Sequence, residues 1–454
     1  MRNVSKIAVS VCACALICGC STYRQYSRPD LPGIPDEYLT ATADSSSVAD
    51  LGWKDFFTDP MLQTIIETGL SNNADIQIAG QRIKEAEASL DIARKAFLPG
   101  LNISPSGNLA QSDVRYGGSV NSYALPFTAS WEVDFGGKLI ASKRKAQAGL
   151  DAAALRDRSV RTELISAIAE CYYGLLKLDA QLLVSETTSQ SWKENVRTMK
   201  ALKNAGLTNE ASVAQTEANS CSIEASLFDL RYNIKQLENA LSVLIGVAPR
   251  QFERGSLREV SLPWVLPDGV PASLLSRRPD VQAAEAELRQ AFYDTEVAQA
   301  AFYPSLTLNG EAGWEKAFTS PSGWLFSLGA GLLQPVFAKG KIRGNLKIAE
   351  ARQEEALAAF RQSLISAGGE VNDALALCQS ASGKTDVRKR QIESLESAVA
   401  STGQLMRHGG ATYLEVLTAQ QSLLSARLLQ ISDRYDSIIG TVHLYKALGG
   451  GAEE

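Results

Sequence analysis

The chain has 454 residues, a formal net charge of -5, 45% hydrophobic residues and 21% charged residues. That length exceeds what one simple core holds, and the balance argues against a polytopic helical membrane protein. A mildly acidic chain gives no reason to expect a nucleic-acid partner, and the two isolated histidines, His408 and His443, offer little for metal or histidine chemistry.

Arg2 and Lys6 precede a short apolar run from Ile7 to Ile17. About 11 residues are too few to cross a hydrocarbon core of roughly 30 Å, so residues 1–19 read as a cleaved signal peptide. The run ends in Leu16-Ile17-Cys18-Gly19-Cys20, which resembles a bacterial lipobox with a small residue before the acceptor Cys20. Cys18 suits that role less well, because bulky Ile17 would take the small position. Ser21, in place of aspartate after the acceptor, resembles lipoproteins sent on to the outer membrane. Acyl chains contribute about 0.8 kcal/mol per buried methylene, so a multiply acylated Cys20 is a firm anchor in outer-membrane lipid. That covalent lipid is the one cofactor-like group expected.

Residues 20–52 form a lipidated strap, rich in proline, serine and threonine and without periodicity. Order begins near Trp53, and Asp59-Pro60 is a helix start in which aspartate caps free amides and proline fits the first turn. Beyond the anchor, Cys171, Cys221 and Cys378 fall in helical patterns at positions suited to packing, and their odd number is no disulfide framework.

The chain then repeats itself. Ala96-Phe97-Leu98-Pro99 returns as Ala301-Phe302-Tyr303-Pro304, about 205 residues later. Phe135-Gly136-Gly137-Lys138 returns loosely as Phe337-Ala338-Lys339-Gly340-Lys341, and the turn at Ala205-Gly206 as Gly409-Gly410. Each half reads as helix, proline stop, two strands, glycine-lysine turn, very long helix, glycine turn and helix. The first repeat spans 53–250 with strands near 101–134, a linker spans 251–273, and the second repeat spans 274–448 with strands near 304–336. Residues 449–454 are a tail.

In the first half, Tyr123, Leu125, Phe127, Ala129, Trp131 and Val133 alternate with polar neighbours; in the second, Leu306, Leu308, Gly310, Ala312 and Trp314 do so. Leu101 to Ala110 and Trp324 to Leu333 complete two strand pairs. Segments of about 10 residues with one apolar and one polar face match transmembrane strands, although a soluble sheet with one wet face has the same period. The lipobox, and aromatics near strand ends such as Tyr123, Trp131, Trp314 and Trp324, favour the membrane. Four strands cannot close a barrel, since the smallest known have about 8 and an open edge in lipid leaves backbone groups unpaired. Copies of the chain must therefore share one barrel.

Helices are expected from Lys138 to about Lys203 and from Lys341 to about Arg407, each roughly 100 Å long at 1.5 Å per residue. Leu164, Ile168, Cys171, Leu175, Leu178 and Leu182 are spaced by fours and threes, as are Leu357, Phe360, Leu364, Ala367, Val371 and Ala374. This is a heptad stripe for lengthwise packing.

Several motifs carry a family resemblance: Trp53 with Phe56, Asp59-Pro60 and Leu62; Asn73-Ala74-Asp75-Ile76; Ala301-Phe302-Tyr303-Pro304; Leu274-Leu275-Ser276-Arg277-Arg278-Pro279-Asp280-Val281 with Ala284-Glu285-Ala286; and Tyr413-Leu414-Glu415-Val416-Leu417 with Ala419-Gln420. In these the chain resembles the outer-membrane factor (TolC-like) family, in its NodT-like lipoprotein branch paired with resistance-nodulation-division pumps. The resemblance implies a mixed fold of α-helices and membrane β-strands. In it a homotrimer forms a twelve-stranded outer-membrane barrel continuous with a periplasmic helical tunnel. It also implies a periplasmic adaptor and an energised inner-membrane pump as partners, because the chain has no nucleotide site or proton-relay helices of its own. Arg277, Arg278, Pro279 and Asp280 are expected to start the second repeat structurally. The resemblance places a periplasmic gate at the hairpin tips, here with Arg407, Thr412, Tyr413, Glu415 and Thr418. Thr418 stands where many members carry aspartate, which removes one charge from the constriction.

Gly340-Lys341 lacks the spacing of a phosphate loop, and neither paired histidines, cysteine clusters nor a nucleophile elbow occurs, so no enzyme is expected. The expected function is a passive exit duct for small molecules. A duct for type I polypeptide secretion and a lipid-anchored coiled-coil scaffold are the alternatives. The four methionines form no cluster that would single out copper or silver as cargo. Metabolic labelling with a radioactive fatty acid tests the anchor: Cys20→Ser abolishes the label, whereas Cys18→Ser keeps it.

Overall fold

The computed structural model describes residues 24–29, 37–38, 51–111, 119–262, 270–271, 277–316, 323–408 and 410–451. Cys20 and the signal segment lie outside these residues. The chain forms two compact units, one of residues 1–32, 81–154 and 283–362, the other of residues 33–80, 155–282 and 363–454. Among the described residues no helix is long and apolar enough to cross a membrane.

The first unit is built on a sheet. Its strands are β2 (Gly100–Ile103), β3 (Ser106–Gln111), β4 (Ser119–Val133), β6 (Ser305–Lys316) and β7 (Gly323–Leu333), while β1 (Glu37–Tyr38) and β5 (Val270–Pro271) make a small pair in the second unit. The sheet order is β2-β4-β6-β7, all antiparallel, with β3 also on β4. β2 and β3 share one register, since Ile103 opposes Phe127 and Ser106 opposes Ala124. They are the single expected strand 101–110, interrupted where Pro105 and Pro126 remove donors from the ladder. Ser104 N still donates to Pro126 O at 3.2 Å, so the strand continues through the gap. Gly313 opposes Pro126, and a Cβ there would come within 2.8 Å of Leu125 O.

The register sorts the sheet into two faces. Leu101 opposes Ala129, Phe127 opposes Ala312 and Ala312 opposes Phe326, while Trp131 opposes Leu308 and Trp314 opposes Trp324. Asn102, Thr128, Glu311 and Ser327 line up on the other face. The apolar side is bare in the single chain: Leu328 is 91% exposed, Phe326 74% and Trp324 66%. After β4, Asp134 caps helix α4 (Lys138–Asn204) by accepting from Leu139 N and Ile140 N at 3.0 and 2.9 Å. Gly137 takes the positive φ of 73° that this turn demands. Residues 24–29 lie along helix α6 (Pro279–Ala300), with Tyr26 edge-on to Phe292 at 5.8 Å and Arg28 3.6 Å from Glu285.

The second unit is helical. It includes α1 (Trp53–Phe56), α2 (Pro60–Asn72), α5 (Glu210–Leu244) and α8 (Tyr413–Ala447), with the later parts of α4 and of α7 (Lys341–Arg407); α3 (Ala74–Lys95) begins here. Asp59 caps α2 through Met61 N at 2.9 Å, with Pro60 at the first position, and its second oxygen accepts from Tyr172 Oη at 2.6 Å. The core gathers Trp53, Phe56, Leu62, Ile168, Tyr172, Leu175, Leu241 and Tyr445. Phe56 stacks on Tyr445 at 3.9 Å between ring centres, and Tyr445 Oη donates to Leu51 O at 2.7 Å. The expected heptad positions Leu164, Ile168, Leu175, Phe360, Leu364, Ala367, Val371 and Ala374 are buried. Cys378 is buried and Cys171 partly so, but Cys221 is exposed on α5, which corrects its expected packing role within the chain.

Candidate functional site

The long hairpins turn at 205–209 and 408–412, and both turns follow from backbone capping. At the first, Gly206 with φ 73° lets Gly206 N bond Lys203 O and Leu207 N bond Leu202 O, a Schellman closure. At the second, Gly410 N bonds Leu405 O over the same five-residue span. Gly409 falls outside the described residues, as does the side chain of Arg407, the last residue of α7.

The next helices start differently. Asn209 caps α5 by accepting from Ser212 N at 2.9 Å. Thr412 occupies the cap of α8 without a side-chain bond, so its exposed hydroxyl stays available. Glu415 is exposed in the first turn, where the helix dipole favours a carboxylate. Thr418 is also exposed, and its hydroxyl donates to Leu414 O at 2.9 Å. Tyr413 turns inward instead. It packs on a small cluster of Trp192, Ile223 and Leu417, and burial raises its phenol pKa while the neighbouring Thr216 hydroxyl offsets part of that rise. Tyr413 Oη has no hydrogen bond of normal geometry. Within the chain, no side-chain hydrogen bond joins Thr412, Tyr413, Glu415 and Thr418 among the described residues.

Other groups hold the tips together. Lys193 pairs with Glu224 at 3.2 Å, Lys200 with Glu217, and Lys203 with Glu210, while Asn195 Nδ2 donates to Gln420 Oε1 at 2.9 Å. Sequence reasoning missed these pairs. The lysines recur near the end of α4 and the acids near the start of α5, but their meeting depends on the register across the turn.

The Arg-Arg-Pro-Asp element lies far along the chain from the tips and is a latch. Pro279 opens α6, and Arg278, 4% exposed, donates to Asp280 at 3.0 and 2.8 Å, to Glu370 at 2.7 Å and to Ala447 O at 3.2 Å. Burial would lower its pKa, but the hydrogen bond and charge of Asp280, with those of Glu370, outweigh it and hold the guanidinium charged. Burial likewise pushes Asp280 up, and the Arg278 bond and charge more than reverse this. Arg277 is exposed. Further along, Arg254 bridges Asp179 and Glu238 at 2.5 and 2.8 Å, fixing the segment after α5 to both helices of its hairpin.

A sheet with a bare apolar face and two pairs of long helices fits a membrane channel, and comparison with known proteins agrees. The outer membrane efflux protein family model matches residues 65–247 and 270–450. The cation efflux system protein CusC of Escherichia coli O6:H1 is 29% identical, over 98% of each chain. The pyoverdine export outer membrane protein OpmQ of Pseudomonas putida is 31% identical, over 95% of this chain and 94% of that one. The open-state outer membrane channel MtrE of Neisseria gonorrhoeae superposes with a TM-score of 0.85 at 28% identity, over 96% of this chain and 99% of that one. The chain belongs to the outer membrane efflux protein family. It is a channel protein of the outer membrane that serves efflux.

Arg278→Ala removes the shared donor of two carboxylates and a helix-end carbonyl. Because Asp280 and Glu370 remain half-exposed, the expected loss is about 1–3 kcal/mol, read as a lower heat-denaturation midpoint of the purified protein.

Proposed function

We propose that three copies of the chain close one twelve-stranded barrel and one twelve-helix tunnel, forming a passive exit duct for small molecules. The carrying observation is the sheet. It has one continuous apolar face and ends at β2/β3 on one side and β7 on the other, with no further strand of the described chain on either edge. In lipid such edges cost several kcal/mol per unpaired backbone group, so they call for copies of the same sheet. The equal lengths of α4 and α7, 67 residues each, and of α5 and α8, 35 residues each, support two repeats, over 53–250 and 274–448. Cys20 carries the lipid that anchors the N-terminal strap. A periplasmic adaptor and a resistance-nodulation-division-type inner-membrane pump supply contact and energy, since the duct moves nothing by itself. Relatives are named for cation efflux and for pyoverdine export, so the fold admits unlike cargo and selection belongs to the pump.

The periplasmic gate lies at the 408–420 tip. Glu415 and Thr418, both exposed there, face the aperture, and Thr412 offers its uncapped hydroxyl to a neighbouring tip. Tyr413 supports the tip from inside, and Arg407 closes α7. With threonine at 418, one carboxylate per chain, Glu415, sets the charge of the constriction.

Electron microscopy of the detergent-purified protein tests the duct. A three-fold tube at least ~100 Å long is expected from the helix rise, and monomeric rods would overturn it. For the gate, Glu415→Ala is expected to raise single-channel conductance in planar bilayers; unchanged opening counts against the assignment.

A further inference from the structure

A cavity of about 980 Å³ opens in the helical unit, beside the aromatic core to which Leu176 belongs. Helical periodicity builds three of its walls. Leu176, Ala180, Leu183 and Val184 line it from α4, and Thr385, Arg388, Ile392 and Glu396 from α7. Arg427, Gln430, Ile431 and Arg434 line it from α8. Residues three and four apart share one helix face, so each helix turns a single stripe to the same space. Residues 255–258, which follow α5, close one end. The volume lies at the upper end of the roughly 300–1,000 Å³ usual for small-molecule sites.

The walls combine apolar surface with cations left over. Leu176 and Ile392 are buried, whereas Leu183 is 66% exposed and presents a bare apolar side chain. Every carboxylate on the walls already holds an arginine. Asp433 accepts from Arg388 at 2.8 Å, Glu396 from Arg427 at 2.8 Å, and Asp179 from Arg254 at 2.5 and 3.0 Å. Two arginines remain. Arg434 donates only to Val260 O, at 2.6 Å, and among the described residues the Arg258 guanidinium has no partner. Val260 lies two residues from Arg258, so both cations belong to the end that residues 255–258 close. The Gln430 amide and the Ser437 hydroxyl add donors there that no other described residue engages. In a chain of net charge -5, two unmatched arginines beside an apolar wall select an anion.

We infer that this cavity binds a small amphipathic anion. Its carboxylate, sulfonate or phosphate head sits on Arg258 and Arg434, and its apolar body runs along Leu183, Val184 and Ile431. Guanidinium groups give the head charge-assisted hydrogen bonds, and the walls take the body out of water, so neither part suffices alone. The site lies within one chain and needs no second copy. A ligand in it links α8 to the segment that Arg254 fixes to α4 and α5, which adds to the cost of drawing α8 away.

The probe is 2-naphthyl phosphate, titrated calorimetrically into the full chain in lipid nanodiscs, with empty discs as the baseline. Saturable binding of one molecule per chain is expected. Arg258→Gln with Arg434→Gln is expected to weaken it by about tenfold or more, as lost charged hydrogen bonds imply. Leu183→Gln weakens it through the body, and inorganic phosphate and 2-naphthol, each carrying one half of the chemistry, bind far less. Arg258, Arg434 and Leu183 are exposed, so the variants keep the fold, which an unchanged heat-denaturation midpoint without ligand verifies. The probe raises that midpoint in the parent chain and not in the arginine variant. Absent saturation, equal affinity in the arginine variant, or equal binding of inorganic phosphate each overturns the site.

Discussion

Backbone pairing at the edges of the four-strand sheet is the constraint on which the rest depends. In hydrocarbon there is no water to take up free N–H and C=O groups, so a strand there must be flanked on both sides. β4 and β6 flank each other over eleven residue pairs, and their ladder joins the two halves of the chain. Among the described residues β2, β3 and β7 each pair along one side only. The outward Leu328, Phe326 and Trp324 are stable only against lipid, while the facing Asn102, Thr128, Glu311 and Ser327 need water. A single copy satisfies neither requirement, which is why the proposed duct is closed by further copies of the same sheet.

The helical unit is built unevenly along its length, as the gate proposed at the tips requires. Around α1, α2 and the end of α8, a large aromatic core is buried and tied by Tyr172 to Asp59 and by Tyr445 to Leu51. Arg278 and Arg254 add buried, multiply bonded guanidiniums. At the tips a smaller set of apolar side chains is buried, among them Trp192, Met199, Val213, Ile223, Val416 and Leu417, with exposed lysine–glutamate pairs around them. Exposed pairs are worth little each, so local opening is cheapest at the tips.

Much of this was legible in the sequence because it depends on local period and local turn chemistry. The expected helices from Lys138 and Lys341 are found as Lys138–Asn204 and Lys341–Arg407, each launched from a glycine turn and free of proline. The alternation from Tyr123 to Val133 and from Leu306 to Trp314 fixed which residues share a face, since side chains in a strand alternate strictly. Asp59 and Pro60 started α2 through the cap and ring geometry that those two residues supply.

Tertiary structure decided what depends on partners distant in sequence. Pro105 and Pro126 interrupt β2 and β3 together only because the register sets them at neighbouring rungs. Arg278 finds Glu370 and Ala447, 92 and 169 positions away, and no local pattern specifies such a meeting. Of the tip residues, Tyr413 faces the core while Glu415 and Thr418 face outward, a sorting set by where α4 and α5 lie beside α8. The sequence by itself determined the elements and their faces, because these follow from backbone geometry and hydrophobic period. Tertiary packing alone decided which polar groups are latches and which stay free at the tip, because burial is a property of the neighbours and not of the residue.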